Sequence, residues 1–575
     1  MAQMKTWLVA LALSAFVLTG ATPGTAQERA VPEAGLAAEA AGDWDAAIEI
    51  YRGVAQSAGR ADLWIRISRI QATRDRPSEA LAAASRAVEL EPRNLEYLRA
   101  RAELATWAGD YAAAADSYER MAALGGGRET ELGQARIAGW RGRIAESIGH
   151  YRAYLRAVPG DSVATIELAR QETWRGNARG ALAVLDGYRE RFGETRDWRI
   201  ERARALTTGN RPRAALDVLR PVIEATPDHY EARLVHTLAL AEAGRRDLAL
   251  GSLDTLAGLD PGNARTAETR AWVRAPIRTS LRPRFEFYDD SDAVQHYLFG
   301  LDAAVALGPM ARVVATVSTT DVHSEPGSGL APVSGEDEVR EAGGDIGLVG
   351  NFGGVLELEG RLGGRRVEDD GPETFTWLAA ARLTPSDRVG LTFEGQRTLL
   401  DVSARSLDLG IERTGARARL RVSPAIGWTI ETGGSRDSYS DDNGRWEANL
   451  VVTDGVLRRQ LVNVDVGLAS RWIWFDEDLD NGYYDPARYE QHLAVLSTYW
   501  KLSDQAGLSL RGAVGAFKDD AIRSFERSIE TAGEATFGIT TDWSLVARAA
   551  WLDNVRSVTG AFNAVGAGIY LTRRF

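Results

Sequence analysis

Residues 462–474 read VNVDVGLASRWIW, and apolar and polar side chains alternate along this stretch. One face of the stretch collects Val462, Val464, Val466, Leu468, Trp472 and Trp474. The opposite face collects Asn463, Asp465, Gly467 and Arg471. Because successive side chains of a β-strand point to opposite sides, this pattern predicts a strand with one apolar and one polar face. The stretch is long enough to cross the apolar core of a lipid bilayer, which takes about ten residues.

The same alternation recurs after Pro276, for example in residues 284–287, 356–362 and 389–396. A soluble β-sandwich also alternates, but here the segments are long and tryptophans fall near their ends, which is typical of membrane barrels. The chain ends on Phe575 within an alternating strand, and this ending resembles the sorting signal of bacterial outer-membrane proteins, with Arg573 as a departure. Because single-chain barrels have even strand numbers, we expect a transmembrane antiparallel β-barrel of about sixteen strands over residues 276–575.

In such a barrel, one face of each strand meets lipid and the other meets water in the lumen. The polar side of the alternation therefore predicts these lumen-facing residues: Glu286, Glu357, Glu359, Arg361, Glu394, Glu431, Asp465 and Arg471. Most of them are acidic, so we expect an acidic conduit that suits a cationic polymer. A lumen that is polar only because it holds water is the plainer interpretation.

The first half of the chain repeats itself with a period of about 34 residues. Turn residues recur at Gly42, Asp75, Gly109, Gly142, Gly176, Gly209 and Gly244. Small alanines and single aromatics recur around them, as in the segment Gly42-Asp43-Trp44 followed by Tyr51. This pattern resembles the tetratricopeptide-repeat family, which implies about seven helical pairs stacked into a solenoid over residues 27–275. The array is either a partner-binding surface or a spacer, and Arg99, Arg101, Arg202 and Arg204 are either contacts for an acidic partner or solvated residues.

The N-terminus has the pattern of a secretory signal peptide over residues 1–26. Lys5 supplies its positive charge, Trp7–Leu18 its apolar segment, and Gly24–Ala26 the small residues before cleavage. The chain has no cysteine, which excludes disulfides, thiolate metal sites and cysteine nucleophiles. Its formal net charge of -12 argues against a nucleic-acid partner, because nothing would neutralise the phosphates.

The sequence contains none of the known catalytic motifs, so we expect neither enzymatic activity nor a cofactor. The six histidines are scattered and form no zinc-binding pair. Alternating aspartates in residues 476–485 suggest a calcium loop, but Asn481 stands where such loops need glycine and Ala487 where they need glutamate. A solvated acidic loop is the favoured interpretation, and no metal site is predicted.

The segment that begins in this loop has a second interpretation. Gly482, Tyr483, Tyr484, Pro486 and Tyr489 resemble a signature of barrels of the cellulose synthase C-subunit type. Together with the preceding repeats, the layout is similar to that of exopolysaccharide exporters, including the poly-N-acetylglucosamine export porin. This resemblance implies an outer-membrane conduit for a polysaccharide.

The resemblance also implies that the repeats lie in the periplasm, where they would guide polymer or recruit components of an inner-membrane synthase. The alternative is an interaction or assembly protein, anchored in the outer membrane by its barrel and binding periplasmic proteins through its repeats. The sequence does not identify a polymer or a protein partner.

Overall fold

The computed structural model describes residues 31–368, 371–522, 524–556 and 560–575. The expected signal peptide lies outside the described residues. Fifteen helices precede the first strand in the described part of the chain. They are α1 (Glu33–Ala40), α2 (Trp44–Ala58), α3 (Ala61–Thr73), α4 (Pro77–Leu90), α5 (Leu95–Ala108), α6 (Tyr111–Ala123), α7 (Gly127–Trp140), α8 (Ile144–Ala157), α9 (Ser162–Trp174), α10 (Ala178–Phe192), α11 (Arg196–Thr208), α12 (Pro212–Ala225), α13 (Tyr230–Glu242), α14 (Arg246–Leu259) and α15 (Ala264–Arg274).

Helix α2 shows how the repeat sequence produces these helices. The Asp43 side chain accepts a hydrogen bond from the backbone N–H of Ala46 at 3.1 Å and so caps the first turn. Ala47, Ile48, Tyr51 and Ala55 follow at helical spacing, and all are buried. Their burial against neighbouring helices stabilises a segment that would be only marginally helical alone.

The predicted turn residues adopt the left-handed backbone conformation at every position except one. Gly42, for example, has φ 75° and Asp75 has φ 57°. At the sixth turn, Asn210 takes this conformation with φ 57° instead of Gly209. Gly209 lies in a tight place, since a Cβ there would lie 2.8 Å from the Cδ1 atom of Ile426 and would displace that side chain.

The chain divides into two compact units. The first unit ends at Arg175 and also includes Gly180–Trp198. The second unit comprises Gly176–Arg179 and Arg199–Phe575, so the last helices form one unit with the strands. The helical pattern itself stops at Arg274, and a short 3-10 helix, Ala275–Ile277, precedes the first strand.

The second half forms a closed antiparallel barrel of sixteen strands, which confirms the predicted fold class. Each strand pairs with its neighbours in the chain, and β1 pairs with β16 to close the barrel. The strands are β1 (Ser280–Asp290), β2 (Val294–Ala306), β3 (Ala311–Ser324), β4 (Glu338–Phe352), β5 (Leu356–Val367), β6 (Glu373–Ser386), β7 (Val389–Leu399), β8 (Glu412–Val422), β9 (Trp428–Tyr439), β10 (Gly444–Arg458), β11 (Val462–Phe475), β12 (Tyr489–Lys501), β13 (Ala506–Asp519), β14 (Glu526–Phe537), β15 (Trp543–Arg556) and β16 (Gly560–Arg574).

The two faces of the barrel wall differ in polarity. Along β5, Leu358 and Leu362 are 41% and 59% exposed on the outer face, while Glu357 and Glu359 alternate with them on the inner face. The register continues this division onto the neighbouring strand, where Ile346 pairs with Leu362 and is 62% exposed. The outer surface is therefore apolar, and the polar side chains of the strands face the lumen.

The barrel has two different ends. At the end that holds Ser280 and Arg574, which we call the turn end, short connections such as residues 353–355 and 387–388 join the strands. At the other, the loop end, the connections include residues 325–337, 400–411 and 476–488. Residues 404–408 of the second of these loops form a one-turn helix, α16 (Ala404–Asp408).

Helix α12 docks on the turn end within the second unit. The carboxylate of Asp387, between β6 and β7, accepts hydrogen bonds from the backbone N–H groups of Arg213 and Ala214 at 3.1 and 2.9 Å. It thereby satisfies donors that the first turn of a helix leaves free. The guanidinium of Arg211 donates to the carbonyl oxygens of Asp387 and Ser423 at 2.9 and 2.7 Å.

No helix in the described residues has both the length and the apolar character needed to cross a membrane.

Candidate functional site in the barrel interior

The structure places the predicted lumen-facing residues on the inner face of the wall. They alternate along their strands with apolar residues that are exposed outside, and they belong to β1, β5, β7, β9 and β11: Glu286, Glu357, Glu359, Arg361, Glu394, Glu431, Asp465 and Arg471. Their role in transport stays a prediction.

These side chains form ion pairs rather than an acidic surface. Glu357 lies 3.1 Å from Arg382, and Glu394 lies 3.4 Å from Arg417. Arg361 contacts both Glu359 and the carboxylate of Asp345, the latter at 3.2 Å. The remaining predicted residues are paired as well, Glu286 with Arg284, Glu431 with Arg421, Asp465 with Arg458, and Arg471 with Glu447. Arginines from the same or adjacent strands therefore offset the charge of these carboxylates, and the acidic conduit stays a prediction.

Sequence reasoning missed the arginines of β8. Arg417, Arg419 and Arg421 lie on the inner face, and they alternate with Ala416, Ala418 and Leu420 on the outer face. The segment ARARLRV at residues 416–422 carried this signal, since its period of two places every arginine on one side. The predicted lumen-facing set includes Arg361 and Arg471 but none of these three arginines.

The opposite part of the wall carries small side chains. Inner positions of β14 to β16 include Ala532, Ala550, Gly566 and Gly568. They line a cavity of about 730 Å³ in the lumen, which Tyr499 and Tyr570 also line. The ring of Tyr570 lies between Arg282 and Arg548, whose guanidinium carbons are 5.8 and 5.0 Å from its centroid. This wall therefore offers space together with hydroxyl groups, aromatic faces and cations.

The loop end is filled by its own loops. Ala404 and Leu407 of α16 pack against Val294, Val322 and Val339 in one buried cluster. Tyr483 stacks on Tyr439 with ring centroids 5.2 Å apart, in a second buried cluster with Leu400 and Ile411. Apolar side chains thus hold residues 400–411 and 476–488 in the mouth of the barrel. We call these two loops the cap.

The segment singled out from the sequence, residues 482–489, lies in this cap. Gly482 adopts φ 84°, and its carbonyl oxygen accepts a hydrogen bond from the hydroxyl of Ser403. Tyr484 donates to Asp519, and Tyr489 packs against Phe517 with ring centroids 5.9 Å apart. Pro486 is buried in the same loop. The segment therefore contacts Ser403 in the loop between β7 and β8, and Phe517 and Asp519 at the end of β13.

Asn443 is the centre of the polar contacts in the cap. Its amide donates to the hydroxyl of Tyr483 at 3.0 Å, to Asp485 at 3.1 Å and to the carbonyl of Glu477 at 2.9 Å. The hydroxyl of Tyr483 donates in turn to Asp441 at 2.8 Å. Asp485 is only 3% exposed, and burial raises its pKa to about 6.

The acidic residues of this loop do not converge on a common point. In the described residues, no three acidic or histidine side chains are grouped as a metal site would require. Asp476 pairs with Arg436 at 2.7 Å, and the Asp480 side chain is 85% exposed. Asp485, by contrast, is buried, so the loop is only partly the solvated acidic loop that the sequence predicted.

The arginines of the repeats also pair within the fold. Arg99 on α5 lies 3.0 Å from Glu129 on α7, and Arg101 pairs with Asp116 on α6. In the second unit, Arg204 on α11 lies 2.7 Å from Glu231 on α13. Arg202 also has an interaction partner. These arginines tie neighbouring helices together and offer few free charges to an acidic partner.

Comparison with known families matches two segments of the helical half. Residues 65–129 and 200–264 match the tetratricopeptide-repeat family. The fifteen helices have a tetratricopeptide-like arrangement and are followed by a closed sixteen-stranded barrel. No curated protein sequence shows significant similarity to this chain.

Solved structures with similar folds include a "Bacterial polysaccharide outer membrane secretin", which is 13% identical to this chain. The match covers 52% of this chain and 99% of the other, with a TM-score of 0.44. A tetratricopeptide repeat protein from Parabacteroides merdae has 14% identity, covers 42% of this chain and 96% of its own, and has a TM-score of 0.36. PilW, a type IV pilus biogenesis factor, has 15% identity, covers 36% of this chain and 98% of its own, and has a TM-score of 0.32.

Proposed function

We propose that this protein is an outer-membrane conduit through which an exopolysaccharide leaves the cell. The observation that carries the proposal is a closed barrel with an apolar outer wall and a polar inner wall, joined at its turn end to tetratricopeptide repeats. A closed sheet is one of only two architectures that satisfy all backbone hydrogen bonds within a bilayer. The proposal includes no catalytic step and no cofactor.

The outer wall supports a location in the membrane. Phe299, Ile346, Leu468 and Ile569 lie on β2, β4, β11 and β16, and each is more than half exposed. A belt of large apolar side chains around a whole barrel would be costly in water, whereas contact with lipid removes that cost. Such barrels occur in the outer membrane, which would place the turn end and the repeats in the periplasm.

The inner wall supports passage of a polar polymer. Sugar hydroxyls need hydrogen-bond partners, and the apolar faces of sugar rings stack on aromatic side chains. Tyr499 and Tyr570 supply rings beside the cavity of about 730 Å³, and Ser497 and Ser509 supply hydroxyls. Asp465 of β11, which pairs with Arg458, also lines this cavity.

The repeats have two roles in the proposal. They would guide the polymer towards the turn end or recruit components of an inner-membrane synthase, since tetratricopeptide arrays present extended surfaces to partners. Helix α12 would transmit such contacts to the barrel through Asp387. Within this function the cap at the loop end must open to let the polymer leave.

The decisive experiment is deletion of the gene followed by an assay of secreted polysaccharide. We expect secretion to fall at least tenfold and to return with the full-length chain. If secretion is unchanged while periplasmic partners lose their outer-membrane association, the protein is an anchored assembly factor and the export proposal is wrong.

A second experiment tests the location. Leu358→Arg with Leu362→Arg places two charges on the outer face, which should cost about 2–4 kcal/mol each near the bilayer midplane and impair insertion. The matched control, Glu357→Gln with Glu359→Gln, changes the inner face of the same strand and should leave heat-modifiable gel mobility intact. Equal insertion of both variants would contradict a membrane-spanning wall.

A further inference from the structure

A cavity of about 380 Å³ lies inside the turn end of the barrel. It is lined by the start of β1 and β3, the end of β2 and β16, and the first residue of helix α14. All of these elements belong to the second compact unit. The cavity therefore lies where the repeats meet the lumen.

Cationic side chains dominate this cavity. Its lining includes six arginines, namely Arg246, Arg278, Arg282, Arg312, Arg361 and Arg574, but only two carboxylates, Asp302 and Glu357. In the wall of β5 to β11, by contrast, most of the charged side chains named above form ion pairs.

Three of these arginines are satisfied by the protein. Arg282 pairs with Asp302 at 2.7 Å, Arg278 pairs with Asp542 at 2.8 Å, and Arg361 pairs with Asp345 at 3.2 Å. The two carboxylates of the cavity are also engaged, since Glu357 pairs with Arg382. Both carboxylates of the cavity thus already have an arginine partner, and the cavity keeps an excess of cations.

The other three, Arg246, Arg312 and Arg574, have no ion pair with any residue that the structure describes. The buried Nε of Arg312 also lacks a hydrogen-bond partner there. Burial and the nearby charge of Arg312 lower the pKa of Arg246, and the charge of Glu357 offsets this only in part. Two guanidinium groups that repel each other in a partly buried cavity are unfavourable unless an anion lies between them.

We propose that this cavity binds anionic groups, carboxylate or phosphate, carried by the polymer as it passes from the repeats into the barrel. Guanidinium groups bind both anions through paired hydrogen bonds, and Arg246 and Arg312 approach the cavity from a repeat helix and from the barrel wall. This inference rests on the proposed export function and adds a substrate class to it. The transported polymer is acidic, in contrast to the cationic polymer that the sequence suggested.

Binding of oligosaccharides to the purified full-length protein in detergent tests the proposal. The probes are an oligogalacturonate, a neutral cello-oligosaccharide of the same length, and inorganic phosphate. We expect the oligogalacturonate to bind at least tenfold more tightly than the neutral oligosaccharide. Arg246→Gln with Arg312→Gln should reduce that affinity at least tenfold at unchanged heat-modifiable mobility.

Arg419→Gln is the matched control. Arg419 lies on the inner face without an ion pair in the described residues, but it does not line the cavity. Its loss should change oligogalacturonate affinity less than twofold. If it weakens binding as much as the cavity variant does, general lumen charge accounts for binding and the cavity site is wrong.

The remaining outcomes separate the site from the export function. Binding of phosphate alone, with no affinity for oligogalacturonate, would overturn a polymer site and leave a small-anion site. Equal binding of neutral and acidic oligosaccharides would overturn the anionic class. Cavity-dependent binding of oligogalacturonate together with normal secretion in the deletion strain would uphold the site and refute the export function.

Discussion

The two ends of the barrel differ in whether their charged and polar side chains have partners within the protein. At the loop end, the polar side chains around Asn443 have hydrogen-bond partners within the chain. Buried Asp485 accepts hydrogen bonds from the amide of Asn443 and from the backbone N–H of Leu479. At the turn end, Arg246 and Arg312 share a cavity with no carboxylate free to pair with them. A network whose polar groups are all hydrogen-bonded makes a structure rigid, whereas unpaired charges at an accessible site are typical of a ligand-binding site. The comparison therefore assigns closure to the loop end and recognition to the turn end.

The largest effect is expected at Asn443, which is 1% exposed. Asn443→Ala removes its bonds to Tyr483, Asp485 and Glu477 and leaves several buried polar groups without partners. Each such group costs about 1–3 kcal/mol, so we expect the cap to lose about 3–4 kcal/mol of local stability. Tryptic cleavage after the exposed Arg488 should accelerate at least a hundredfold.

Asn463→Ala is the control for this prediction, since the described residues provide no side-chain hydrogen bond to Asn463. It should leave the cleavage rate within twofold of wild type. Similar rates in the two variants would show that the Asn443 network does not hold the cap closed.

The next effect distinguishes a structural arginine from a ligand-facing one at the turn end. Arg211 is 7% exposed and donates to the carbonyl oxygens of Asp387 and Ser423. Arg211→Ala should therefore destabilise the docking of α12 by about 2 kcal/mol, measured as faster hydrogen exchange of its amides. Arg312→Ala should change exchange by less than about 0.5 kcal/mol, because Arg312 has no ion pair to lose. Equally faster amide exchange in both variants would show that the two arginines do not differ in their structural role.

A smaller effect follows from the pKa of Asp485, which burial raises to about 6. A carboxyl with a raised pKa in the closed cap stabilises closure at low pH, and this contribution is lost as pH rises through about 6. We expect the cap to be about 1–2 kcal/mol less stable at pH 8 than at pH 5.

The chain has no cysteine, so Ala487→Cys provides a single labelling site in the cap. Fluorescence anisotropy of a label at this position should fall with a midpoint near pH 6. In the added background of Asp485→Asn the transition should disappear. A transition that persists there would assign the pH response to another group.

The sequence was sufficient to predict the features that depend on local periodicity. Alternation placed Glu357 and Arg471 on the inner face, and the repeat period located the turns, apart from the exchange of Gly209 for Asn210. It was insufficient for features that depend on register and on contacts between distant segments. The Glu357–Arg382 pair joins adjacent strands, so the acidic residues were counted without their partners. The same holds for the cavity, where a helix and a strand bring Arg246 and Arg312 together.

The smallest effect, on ion selectivity, tests whether the inner wall is balanced as the ion pairs indicate. Glu357 and Glu359 pair with Arg382 and Arg361, so the wild-type pore should show no preference for potassium over chloride in planar bilayers.

Glu357→Gln with Glu359→Gln removes the partner of Arg382 and one of the two carboxylate partners of Arg361. It also adds to the positive charge of the turn end, because Glu357 lines the cavity. The permeability ratio should shift towards chloride by about two- to threefold, which corresponds to roughly 0.4–0.7 kcal/mol, the size expected for partly exposed pairs. Glu373→Gln, on the outer face near the loop end, should leave the ratio unchanged. If the wild-type pore strongly prefers cations and the double variant loses this preference, the lumen is an acidic conduit. The contrast between the two ends would then be wrong.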